Sequence, residues 1–253
     1  MKFNIITSYP KSGNTWIRFI IYDLFFNYNS SENTSSFIIN KFVPDFHNIY
    51  KDNQIIISKE LIGKKIFIKS HFSYKQMKKI PIEKVIILIR NPIDVLSSLI
   101  NYYEYDRNQI NDLVIYFSKN HTIPFLKKLN FPSWSEHFKS WEKSETNFLL
   151  INYSNLLNDF DNQIIKISNF FEIILSKKKI KFINKNINFD KLKNIEEKEI
   201  KENRDGFFLE NMKGKKTKFM NKGKNKKYFD TFDKNQINLL NNTFEKYILK
   251  YNL

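Results

Sequence analysis

The chain of 253 residues predicts an α/β fold, with a central, mainly parallel sheet flanked by helices. Three observations carry that expectation. Strand-like and helix-like segments alternate along the chain, the order that builds parallel sheets through right-handed crossovers. Residues 84–89, KVIILI, are apolar almost without interruption, as a strand covered on both faces requires. The 42% hydrophobic fraction, with 25 Phe, is ample for the core of one larger domain, and neither an internal repeat nor a linker divides residues 1–253.

Taken in order, residues 3–8 (FNIITS) read as the first strand. A turn carrying Pro10, Lys11, Ser12 and Gly13 follows, and a helix opens at Asn14 or Thr15 and runs to about residue 26 on Trp16, Ile17, Phe19, Ile20 and Ile21. Residues 29–36 are a polar loop rich in Ser and Asn. A short strand at 66–69 precedes the buried strand at 84–89, after which Asn91-Pro92 leads into a helix over 93–103, since Pro is tolerated in a first helical turn. Further helices are expected near 108–119, 134–143, 160–171 and 233–250, with another strand at 148–151. Residues 203–230, with Gly206, Gly214 and Gly223 among many lysines, form the one long stretch without a clear pattern. A segment of that length in a compact domain is usually functional or disordered.

Composition sets outer bounds. With no cysteine there is no disulfide and no argument for an oxidising compartment. No apolar run approaches the roughly 18 residues of a membrane span, and the first strand leaves no room for a leader, so a cytoplasmic protein without a membrane partner is expected. The net charge of +16 is mostly lysine, since only Arg18, Arg90, Arg107 and Arg204 are arginines. Lys, Asn, Ile, Phe and Tyr in excess together fit a genome rich in A and T, which raises lysine without any functional cause. The charge is uneven, however: residues 176–227 hold seventeen Lys and one Arg against seven acids. Such a patch steers polyanions, and a multiply charged nucleotide, an acidic acceptor, a membrane surface or nucleic acid would each use it.

The first turn is a phosphate cradle by construction. Gly13 has no Cβ, so the backbone can approach a ligand closely. The first amides of the next helix have no intrahelical acceptor, an anion there satisfies them and the helix dipole together, and Lys11 adds a full charge. The phosphate-binding pattern G-x-x-x-x-G-K-[ST] occurs nowhere in the chain. Instead Tyr9-Pro10-Lys11-Ser12-Gly13-Asn14-Thr15-Trp16 resembles the phosphosulfate loop of the sulfotransferases, Y-P-K-S-G-T-T-W, with Asn14 in place of a Thr. The run from Val85 through Arg90-Asn91-Pro92-Ile93-Asp94-Val95 to Ser98 is similar to that family's second signature, whose Arg and Ser hold the 3′-phosphate of 3′-phosphoadenosine 5′-phosphosulfate. The resemblance implies a P-loop-like fold, this nucleotide as co-substrate, no metal, and an acceptor alcohol or amine.

The same resemblance assigns roles along the chain. Lys69-Ser70-His71 is similar to the family's K-T-H segment, which makes His71 the general base, and an imidazole titrating near 6.5 suits proton removal at neutral pH. Lys11, with Ser12, Gly13, Asn14 and Thr15, would bind the 5′-phosphosulfate, and Lys11 would meet the charge growing on the bridging oxygen, assisted by Lys69. Trp16 would stack on one adenine face, Phe189 in N-F-D-K-L-K would cover the other, and Tyr153 would bond an adenine nitrogen; each of the three is equally suited to a core position. Phe219-Met220-Asn221-Lys222-Gly223 is similar to F-M-R-K-G, so Lys222 and Gly223 would join Arg90 and Ser98 at the 3′-phosphate. Asn221 stands where the family has Arg, and an amide supplies neither the charge nor the fork of a guanidinium.

Two other readings stay open at this level. A P-loop-like kinase would need the missing phosphate motif and a carboxylate for Mg²⁺. A non-catalytic basic module for nucleotide or nucleic acid would use the Lys-rich stretch, but few aromatics are interleaved there to stack on bases. The acceptor and the oligomeric state are not legible.

Overall fold

The computed structural model describes residues 1–27, 34–51, 54–212, 214, 218–220 and 227–253. Four strands form the central sheet in the order Ile66–Ser70, Phe3–Ser8, Ile82–Ile89, Asn147–Asn152. Every neighbouring pair is parallel, with Ile5 opposite Ile68 and Val85, and Leu88 opposite Ile151. The expected strands at 66–69, 84–89 and 148–151 are each present and extend by one or two residues at an end.

Residues 3–8 and 85–89 of the central strands are buried throughout and mostly apolar, because both faces are covered. Val85, Ile87 and Ile89 enter one core with Phe3, Ile5, Trp134, Trp141 and Phe244. Ile86 and Leu88 enter the other, with Ile6, Ile17, Phe19, Ile20, Ile164 and Leu192. Alternation persists in direction while both destinations are dry, the pattern of a sheet between two helical layers.

The helices begin where their capping chemistry puts them. Asn91 accepts the N–H of Ile93 at 2.9 Å and Pro92 takes the first helical position of Pro92–Tyr102. Ser133 and Glu136 form a capping box for Trp134–Glu142, and Asp233 and Gln236 form another for Lys234–Tyr251. Three segments differ from the sequence expectation. Ser36 does not belong to a loop: it opens helix Ser36–Phe42, capped by Ser35. Residues 203–230 contain a helix, Phe207–Met212, and a short 3₁₀ turn, Lys227–Asp230. The Lys-rich stretch supplies two amphipathic helices, Lys177–Ile187 and Phe189–Lys201, which bury Ile183 and Ile187 from the first and Leu192, Glu196 and Glu199 from the second. Among the described residues no helix is long and apolar enough to cross a membrane.

Candidate active site

The carboxyl ends of the parallel strands open into a cavity of about 350 Å³. Ligands of open α/β sheets sit at such strand ends. Its walls bring together Lys11, Gly13, Asn14, Thr15 and Trp16 from the first turn and helix, Lys69 and His71 from the next strand end, Arg90 from the third, Ser98 from helix Pro92–Tyr102, and Tyr153 and Phe189 from later segments. Ser12 lies just behind that wall, 1% exposed. Lys222 and Gly223 lie outside the described residues, as does Asn221.

The turn takes its shape from two left-handed residues, Lys11 at φ 65° and Gly13 at φ 102°. Gly13 is obligatory for a second reason: a Cβ there would fall 2.5 Å from the Tyr153 ring. Helix Asn14–Phe25 has no side-chain cap and no acid in its first turn; the Trp16 N–H donates to the Gly13 carbonyl at 3.0 Å, and the first two amides, of the cavity-lining Asn14 and Thr15, receive no side-chain cap. Arg90 ties the turn to the third strand by donating from Nη1 to the Lys11 carbonyl at 3.1 Å, while its guanidinium lies 4.4 Å from the Tyr153 ring centre. The buried Nε of Arg90 and Oγ of Ser12 have no hydrogen-bond partner among the described residues. Two orphaned donors beside uncapped amides fit an anionic ligand, since buried polar groups otherwise find partners. Asn14 turns its amide back to Ser8 Oγ at 3.0 Å, bracing the turn from below.

Lys11 is held over two aromatic faces, with Nζ 3.9 Å from the centre of the Tyr102 ring and 3.8 Å from that of Phe219. Trp16 is fixed as well: its indole N–H donates to the Ile187 carbonyl at 2.6 Å and its ring stacks on Phe160 at 5.4 Å. Tyr153 and Phe189 meet it edge-on at 6.1 and 6.0 Å, which makes an aromatic corner in the cavity.

His71 is held by its Nδ1–H, which donates to the Ser8 carbonyl at 2.6 Å and leaves Nε2 with its lone pair. Burial, reinforced by the charge of Lys69, holds the imidazole well below its ordinary pKa against the opposing pull of Asp45. It is therefore neutral at pH 7, the form a base requires. Lys69, expected as an assisting cation, is engaged in an ion pair with Asp45. Burial works against the charge of Asp45, yet Lys69, His71 and Arg18 together keep its carboxyl well below the usual range. Arg18 donates from Nε to the Val43 carbonyl at 2.8 Å, and burial lowers its pKa to about 10.

Asp45, Arg18, Asn40, Asn48 and Tyr102 line the same cavity and were not singled out from sequence, and Phe219, quoted there only as the start of a signature, joins them. Asp45 carries one local signal, as the N-cap of helix Phe46–Ile49. Nothing near it in sequence announces Lys69, which lies 24 residues away. Of the other histidines, His137 is core, 2% exposed and bonded through Nε2 to Thr7 Oγ1 at 2.8 Å. Among the described residues no group of three or more His, Asp or Glu side chains is placed to hold a metal ion.

The family model described as "Sulfotransferase domain" matches residues 4–251. The chain belongs to the sulfotransferase family. Cytosolic sulfotransferase 1 of Danio rerio is 25% identical over 205 residues, 75% of this chain and 65% of that protein. Sulfotransferase 1B1 of Mus musculus is 31% identical over 198 residues, 75% of this chain and 64% of that one. This family member thus spans a little under two thirds of these relatives' length. Its fold is that of a mouse sulfotransferase solved with PAP, at a TM-score of 0.67 and 21% identity, covering 99% of this chain and 85% of the other. Retinol dehydratase, solved with retinol and PAP, aligns at a TM-score of 0.71 and 17% identity over 97% of this chain and 80% of its own. The P-loop-like α/β architecture expected from the sequence is the one this family member has.

Proposed function

We propose that this sulfotransferase-family chain moves a sulfuryl group from 3′-phosphoadenosine 5′-phosphosulfate to an acceptor hydroxyl or amine by in-line attack. The observation that carries the reading is the convergence, in one cavity, of the Lys11–Thr15 turn, the base His71, the pair Arg90 and Ser98, and the aromatic corner of Trp16, Tyr153 and Phe189. Each part has a chemical task. The turn and the helix amides take the 5′-phosphosulfate, Arg90 and Ser98 the 3′-phosphate, and the aromatics the adenine. The acceptor oxygen or nitrogen bonds to sulfur while the sulfur–oxygen bond to the 5′-phosphate breaks, and the acceptor proton goes to Nε2 of His71. Negative charge grows on the departing oxygen, where the compact ammonium of Lys11 is most useful. Lys222 and Gly223 are proposed to complete the 3′-phosphate contacts. Lys69, paired with Asp45, is proposed to act on the field around His71 as much as on the leaving group.

The acceptor side is a mixed wall in which Asp45 and Asn48 adjoin the apolar Leu126 and Phe131. A cytoplasmic site of action belongs to the same proposal, supported by the printed name of the Danio rerio relative, and so does the lack of a stable nucleic-acid or membrane partner.

Calorimetric titration tests the reading. Adenosine 3′,5′-bisphosphate should bind more tightly than AMP at the same salt, by about a hundredfold or more, because the two proposed 3′-phosphate contacts, from Arg90 and Ser98, contribute about 1.5–3 kcal/mol each. Equal affinity for AMP would overturn a dedicated 3′-phosphate site. A screen with labelled donor then finds the acceptor.

A further inference from the structure

Helix Phe189–Lys201 places Phe189, Leu192, Glu196 and Glu199 on one face, by spacings of three and four. That Phe189 faces the cavity and Leu192 the core is ordinary. Glu196 is not: its side chain lies on the same buried face, and the residue is 0% exposed. Its two oxygens accept the backbone N–H groups of Phe219 at 2.5 Å and Met220 at 2.7 Å. Both of those residues line the cavity, and the Phe219 ring carries the ammonium of Lys11 on its face.

Burying a carboxylate is unfavourable, and burial does push the Glu196 carboxyl above its ordinary pKa. Two adjacent backbone N–H groups in a buried position would be equally unfavourable without an acceptor. Carboxylate and segment therefore require each other. No amide side chain does the same task, because Gln offers one acceptor oxygen and turns its own N–H₂ toward the second donor.

We propose that Glu196 is a positioning residue for the nucleotide pocket: it latches residues 218–220 onto helix Phe189–Lys201, so that Phe219 and Met220 form the cavity wall and Phe219 holds Lys11 in register. The consequence for donor binding rests on the sulfuryl-transfer reading; the latch itself does not.

The test has two arms. Limited tryptic digestion with mass spectrometry follows cleavage after Lys218, an exposed site directly beside the latched amides. Glu196→Gln should cut there about tenfold faster than the wild type, from the loss of one charge-assisted bond and the new donor clash. The same variant should weaken adenosine 3′,5′-bisphosphate binding about tenfold and raise donor KM while kcat at saturation changes much less. Phe219→Ala should weaken nucleotide binding similarly, and the double variant should bind no worse than the weaker single one, since both act through one segment. Should Glu196→Gln not fold, Met220→Pro removes one of the two donors and leaves the carboxylate, with the same expected outcomes. Unchanged cleavage after Lys218, or penalties that multiply to about a hundredfold, would overturn the latch. If the wild type itself does not bind the bisphosphate, the functional reading falls, and the tryptic arm still decides the latch.

Discussion

His71 reaches its place already in the base form, and that follows from two contacts. The Ser8 carbonyl takes its Nδ1–H, and burial beside Lys69 keeps the ring from accepting a second proton. His71→Ala should therefore lower turnover by roughly 10²–10⁴-fold with little effect on nucleotide affinity. The sign of the pH dependence is also determined. On the proposed mechanism the neutral ring is the active form, and its pKa is depressed, so the acid limb of kcat/KM should lie below pH 6.5, with activity lost only as pH falls through that lower value. A limb above 6.5 would point to another base. Lys11 tests a different step. Its ammonium is carried by two ring faces, so it is oriented before any anion arrives. Lys11→Ala should cost roughly 10²–10³-fold in turnover and much less in affinity for the bisphosphate product. Lost binding with a normal rate for the donor still bound would make it an anchor only.

At the scale of elements, the site is a set of junctions held to one another. Arg90, at the end of the third strand, bonds the turn after the first, and Tyr153, at the start of helix Tyr153–Asn158, closes over Gly13. Helix Phe189–Lys201 reaches two segments from one face: Glu196 binds residues 219 and 220, and Glu199 accepts the Ser36 N–H at 2.6 Å and pins the start of helix Ser36–Phe42. Gly13→Ala should be poorly tolerated, because the methyl meets the Tyr153 ring and the backbone is left-handed there. Nucleotide affinity should fall at least tenfold, with a drop in Tm of several degrees. The double variant Gly13→Ala with Tyr153→Ala separates the causes: recovery of Tm identifies the clash, and no recovery identifies backbone strain.

For the whole molecule, the buried His137 links the site's underside to acid stability. Burial lowers its pKa to about 3, while in the unfolded chain an imidazole titrates near 6.5. Between those values the unfolded state binds the extra proton, so stability is complete above 6.5 and declines as pH falls toward 3. The slope from this one group is about 1.4 kcal/mol per pH unit. Urea unfolding at pH 6.5, 5.5 and 4.5 should show that decline in the wild type, and His137→Asn should have a shallower one. Parallel slopes would mean that His137 is already protonated in the fold. The basic surface belongs to this scale too. The exposed lysines of Lys177–Ile187 and Phe189–Lys201 lie opposite faces buried in the core, so amphipathic packing accounts for much of the charge in that stretch.

Much of the fold was legible in the chain itself because its signals are local. Period and apolar content marked the four strands of the central sheet, Asn91-Pro92 marked one helix start, and Pro10–Gly13 marked the turn between the first strand and helix. The two Lys-rich helices were masked by charge that dominates their exposed faces, and Ser36 by the polar residues before it. What the tertiary structure decided is who meets whom. Asp45 with Lys69, Lys11 with Tyr102 and Phe219, and Glu196 with two backbone amides are pairings between distant segments. No residue carries a local mark of its partner in such a pair, because burial and charge at a site come from the packed neighbours. The residues to which the proposal gives the reacting roles were named from sequence, and the environment around them arose only when four strand ends were brought to one cavity.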